Sequence, residues 1–200
     1  MDCGQIYEKS EKRLEKQLHL VYRIASCVLR IDINYELRTT NNELTMRFIL
    51  IDRIVSIEPG KQIKAVKAVS LAEEYLADHF PAFPVLPGVL LLEGLIESAS
   101  WLVREAENFA HSMLLLEQAR NVKYKSFLTP GSQIEYTVDA KTIEENVSSF
   151  TGSGVSDGEK IVEAKFGLRH FNLADENSAM AAVDAEIIEN MKKRWKLLKS

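Results

Sequence analysis

Cysteine is scarce in this 200-residue chain: Cys3 and Cys27 are the only two. Two thiols build no disulfide framework, and no CxxC or Cys/His spacing marks a zinc site. Positive charge is also short, with 25 Lys and Arg against 29 Asp and Glu for a formal charge of −4. Without a basic stripe or aromatic–basic interleaving, that balance argues against a nucleic-acid binder. No uninterrupted apolar run reaches the length of a membrane span. The opening "MDCGQIYEKSEKRLEKQ" is charged where a secretory signal would be apolar, so a cytoplasmic protein is expected. Proline is limited to five residues, yet Pro81, Pro84 and Pro87 fall within one short stretch.

What is present suits one compact domain with extensions at both ends. The hydrophobic fraction, 46%, is enough for a core. Residues 1–45 are expected to be an N-terminal extension, with apolar residues at helical spacing from Glu11 to Leu29. From Met46 the pattern changes: "RFILIDRIVSIEPGKQIKAVKAVS" holds two β-rich runs around Glu58-Pro59-Gly60-Lys61, a hairpin signal. A short helical piece is predicted over Leu71–Ala77, and a long helix from Gly88 to about Glu107. Three or four strands follow, with turns at Pro130-Gly131 and at Asp157-Gly158, the latter a strong hairpin signal. This order predicts an α+β fold, an antiparallel sheet with one long helix, over residues 46–172. Residues 173–200 form a tail whose Val183, Ile187, Ile188, Met191, Trp195 and Leu198 share one side of an amphipathic helix.

The chemistry concentrates in "DHFPAFPVLPGVLLLEGLIES", residues 78–98. Val89 to Leu92 are apolar in succession, so the helix has no solvent face there and must be enclosed. Glu93 follows them, with Val89, Leu90 and Ile96 among its neighbours one turn away. A carboxylate in such surroundings needs a partner, a water or a proton. Burial favours the neutral acid, the state a proton donor needs; a structural pair with an arginine or a backbone N–H is the alternative. His79 sits in a segment stiffened by the prolines, which would hold an imidazole in place as a general base. An exposed or purely structural histidine is the simpler reading. The helix start at Gly88 and Val89 offers free N–H groups, and Gly88 has no side chain to keep a substrate oxygen away. Base, acid and oxyanion donors together suit removal of a proton α to a carbonyl with loss of a β leaving group.

This stretch resembles the hot-dog-fold (3R)-hydroxyacyl-acyl-carrier-protein dehydratases of type II fatty acid synthesis. Their pattern HFPGxPxxPGVLxxEA stands here as "HFPAFPVLPGVLLLEG", and the similarity reaches outward to "ARNVKYKSFLTPGSQIEYTV". The resemblance implies a sheet wrapped around the long helix, His79 and Glu93 as catalytic residues, and Gly88 as the amide that holds the thioester carbonyl. It also implies a homodimer, with hexamers as trimers of dimers, in which the two catalytic side chains come from different subunits. The acyl chain would lie in an interface tunnel, for which Phe83, Leu92, Ile96 and Tyr124 are candidate lining residues. The partner would be an acyl carrier protein bearing the 3-hydroxyacyl thioester, with no metal or cofactor. Carrier proteins are acidic, so Arg120, Lys123 and Lys125 are candidate docking residues. Ala82 and Asp78 depart from the family's usual glycines, and the family's N-terminal HRYPF survives only as Arg47 and Phe48. A thioesterase of the same fold, and a dehydratase of a specialised polyketide or polyene pathway, are the alternatives.

Of the remaining residues, His111 and His170 lie outside any motif and are expected to be exposed or structural. Trp101 and Phe109 are read on the long helix, as core or tunnel wall. Tyr124 and Phe127 are read as alternating along one strand. The tail "MKKRWKLLKS" either packs Trp195 on the domain or supplies a docking or membrane-surface contact.

Overall fold

The computed structural model describes residues 49–78 and 82–200. The helix expected over Glu11–Leu29, the segment 46–48 and His79 lie outside the described residues. Residues Ile49–Ser200 form one compact unit.

Six strands, β1 (Arg53–Glu58), β2 (Gln62–Ala68), β3 (Met113–Tyr124), β4 (Gln133–Ile143), β5 (Val147–Ser156) and β6 (Glu159–Phe171), make one sheet in the order β1-β2-β4-β5-β6-β3. Every pairing is antiparallel. Among the described residues the helices are α1 (Glu74–Asp78), α2 (Gly88–Ala106) and α3 (Ala181–Leu198), with two short 3-10 turns ahead of α3. This is the hot-dog fold. The β1–β2 turn forms where Glu58-Pro59-Gly60-Lys61 signals it: Lys61 N–H donates to Glu58 O at 2.9 Å, and Gly60 takes φ +72°. Asp157 and Gly158 join β5 to β6 with φ +50° and +80°, the two positive values that a tight twisted hairpin requires.

Helix α2 packs against β2, β3, β4, β5 and β6. Leu90 through Ile96 are buried without a break, as the missing polar face requires. Close approach of helix and sheet is made possible by glycine on both sides. A Cβ on Gly94 would lie 2.4 Å from the Tyr136 ring on β4, and one on Gly152 of β5 would lie 3.0 Å from Leu95. Each leucine buried in this layer stabilises the fold by roughly 1.5–3 kcal/mol.

The tail packs on the domain. Trp195 stacks on Trp101 of α2 with ring centroids 5.7 Å apart, and Phe109 meets Trp195 edge-on at 6.2 Å. Asp184, buried at the start of α3, accepts hydrogen bonds from Leu173 N, Ala174 N and the Ser112 hydroxyl. The sequence places Phe109 on the long helix, but α2 ends at Ala106. Asn108 and Phe109 then take left-handed φ values of 52° and 60°, which reverse the chain. Trp101 and Phe109 are both buried against the tail, Trp101 at 2% exposure, so they are core.

Candidate active site

Pro87 caps α2 with φ −55° and ψ 136° and provides no side-chain acceptor. Leu90 and Leu91 N–H both donate to Pro87 O, leaving the N–H groups of Gly88 and Val89 at the open end of the helix. The approach to the helix is pinned by Leu86 N–H donating to Leu128 O at 2.8 Å. That bond ties the proline-rich segment to the chain beyond β3.

Glu93 lies five residues into α2, about 7.5 Å along the axis from Gly88. Its residue exposure is 9%, and no group among the described residues hydrogen-bonds its carboxyl. Burial pushes the Glu93 carboxyl from its ordinary 4.5 up to about 7, and repulsion from Glu97 adds to the effect. The structural pair with an arginine or backbone N–H has formed one turn later instead. Glu97 accepts from Leu50 N at 2.9 Å and pairs with Arg194 of α3. One helix therefore carries an anchored carboxylate and, a turn earlier, a buried acid held near neutrality.

Among the proposed lining residues, Leu92 and Ile96 are buried on α2, whereas Phe83 and Tyr124 are exposed. Tyr124 comes to the helix start: a Cβ on Gly88 would lie 3.3 Å from its ring. Phe83 meets Phe127 edge-on at 6.2 Å. Phe127 does not continue the strand, because β3 ends at Tyr124. A bulge between Arg120 and Lys123, with Asn121 at φ +52°, precedes Tyr124. Such a bulge bends the strand and re-aims the side chains beyond it. Arg120, Lys123 and Lys125 are exposed. Lys123 and Lys125, together with Lys160, converge on Glu163 at 3.0 to 3.4 Å.

Residues 44–165 match the FabA-like domain family. The chain belongs to that family. Among its relatives, the 3-hydroxyacyl-[acyl-carrier-protein] dehydratase FabZ of Wolbachia pipientis is 32% identical over 117 residues, 58% of this chain and 82% of the relative. The protein of the same name from Aromatoleum aromaticum is 35% identical over 124 residues, 59% and 83% of the two chains. The dehydratase heterocomplex ApeI:P from Xenorhabdus doucetiae superposes with a TM-score of 0.56 at 17% identity, covering 67% of this chain and 90% of that one. At that identity the superposition supports the fold alone.

The FabA-like match ends within β6, so α3 lies beyond it. The anchoring of Glu97 by Arg194 is thus a contact made from outside the matched region. Nothing in the sequence links residues 97 and 194, and only packing reveals the pair.

Proposed function

We propose that this chain dehydrates (3R)-3-hydroxyacyl groups, carried as thioesters on an acyl carrier protein, to trans-2-enoyl thioesters. The observation that carries the reading is Glu93, a buried carboxyl without a hydrogen-bonding partner among the described residues and held near pH 7. A buried acid of that kind is costly for stability alone and suited to proton donation. The names of the relatives from Wolbachia and Aromatoleum support the same reaction.

In this reading His79, which directly follows α1, takes the proton from C2 of the substrate. The electron pair moves toward the thioester carbonyl, whose oxygen accepts from Gly88 N–H, with Val89 N–H beside it. The C3–O bond breaks as Glu93 gives its proton to the departing hydroxyl, and water leaves. Solvent then returns a proton to Glu93 and removes one from His79. Leu92, Ile96, Phe83 and Tyr124 would contact the acyl chain, and Arg120, Lys123 and Lys125 the carrier.

The working form would be a cytoplasmic homodimer in fatty acid biosynthesis, with His79 and Glu93 contributed by different subunits. Among the described residues β3 terminates the sheet, and an edge strand of that kind could pair with a second chain. The test is an assay on a (3R)-3-hydroxyacyl thioester that follows enoyl product and free thiol together. Enoyl formation lost in both His79→Ala and Glu93→Gln is the expected result. Free thiol without enoyl would move the protein to the thioesterases.

A further inference from the structure

At the opposite end of α2 from Gly88, two side chains four residues apart converge with a third from β6, far away in sequence. His111 Nδ1 lies 2.9 Å from Glu107 Oε2, and His170 Nδ1 lies 3.1 Å from Glu107 Oε1. The cluster is roughly 21 Å from Glu93 along the helix axis, so it is no part of the site above. One donor atom from each of the three lies within 4.8 Å of the others. The left-handed turn at Asn108 and Phe109 brings His111 back beside Glu107, and pairing with Leu114 fixes His170 on β6.

We propose that Glu107, His111 and His170 bind a divalent ion of the zinc class. Two imidazole nitrogens and a carboxylate are a donor set that suits Zn2+ with water in the fourth position. Bonds of about 2.0–2.2 Å would set the donors roughly 3.4 Å apart. The two Nδ1–Oε distances run to different oxygens of Glu107, and the one-donor-per-residue set, within 4.8 Å, would draw together on the ion by side-chain rotation.

Ser148 equips the site for both states. Its hydroxyl is 2.7 Å from His170 Nε2, and both residues are buried. Without an ion, both Nδ1–H groups donate to Glu107, and Ser148 donates to Nε2. With an ion, the His170 proton moves to Nε2 and is donated to Ser148 Oγ, which now accepts; the Nδ1 lone pair turns to the metal. The proton count at His170 is unchanged. His111 is half-buried, so its own shift to the Nε2–H form can be met by water. Glu107 and His111, with side-chain exposures of 16% and 14%, give the ion a way in from solvent. Arg104 is a positive charge close enough to act on His170, and its guanidinium donates to Ser112 O and lies over Trp101.

The experiment uses the full chain after treatment with a chelator. Zn2+ is titrated by calorimetry and Co2+ by visible absorption, with His111→Ala, Glu107→Gln and Ser148→Ala beside the wild type. Expected are one ion per chain, a Co2+ d–d band, and a rise in Tm with Zn2+. His111→Ala and Glu107→Gln should lose all three, and Ser148→Ala should weaken binding 10–100-fold. Circular dichroism verifies that the variants are folded. No binding by the wild type, or binding that survives in both His111→Ala and Glu107→Gln, overturns the proposal and leaves the three as a hydrogen-bonded cross-link only.

Discussion

Glu93 sits in a helix segment chosen for apolarity, and its ionisation is therefore opposed by its surroundings. Because its folded pKa, about 7, is above the ordinary 4.5, the protonated form is favoured in the native state. That stabilisation is complete below the unfolded value and is lost as pH rises through about 7. The loss should be a few kcal/mol in the wild type and absent from Glu93→Gln, as urea unfolding between pH 5 and 8.5 would show. Activity should follow the same proton. With Glu93 as acid, kcat falls as pH rises through about 7, and Glu93→Gln lowers kcat/KM roughly 10²–10⁴-fold below pH 7 and by less above it. A wild-type profile flat from pH 6 to 9 would refute the assignment.

Two contacts between elements test how the helix is held. Tyr136 is fully buried against the backbone of Gly94, and its hydroxyl has no hydrogen-bond partner among the described residues. Removing the unsatisfied hydroxyl in Tyr136→Phe should be neutral or stabilising in urea unfolding. Gly94→Ala should cost about 1–3 kcal/mol, because the added methyl has no room beside the ring. The second contact is the Trp101–Trp195 stack, which fixes α3 on α2. Trp195→Ala should destabilise by about 3–5 kcal/mol and remove the near-ultraviolet circular-dichroism signal of the coupled indoles.

For the whole molecule, charge placement matters more than net charge. The Lys125 hydrogen bond, with Lys160 and Lys123 beside it, holds the Glu163 carboxyl down to about 2, so this carboxylate stays ionised and offsets the surrounding lysines. Glu163→Gln should therefore lower KM for a carrier-borne substrate, and Lys123→Glu with Lys125→Glu should raise it. Both effects should shrink at high salt and be absent with a small pantetheine thioester. Equal effects on both substrates would place these residues somewhere other than a docking surface. No described helix is long and apolar enough to cross a membrane.

Local pattern and turn chemistry determined the strands, the β1–β2 and β5–β6 hairpins, and the enclosed helix. Each depends on residues adjacent in the chain, such as Asp157-Gly158 or the run ending at Glu93. The same is true of the tail helix, whose apolar side is legible from Val183 to Leu198. Tertiary structure decided what no spacing encodes. It ended α2 before Phe109, bulged β3 ahead of Tyr124, and set Arg194 on Glu97 across nearly half the chain. It also joined Glu107 and His111 to His170, although neither histidine belongs to a motif. Helical and strand periods report which face of an element is apolar. They do not report which two faces meet, because that is fixed only when sheet register and helix packing bring distant residues to one place.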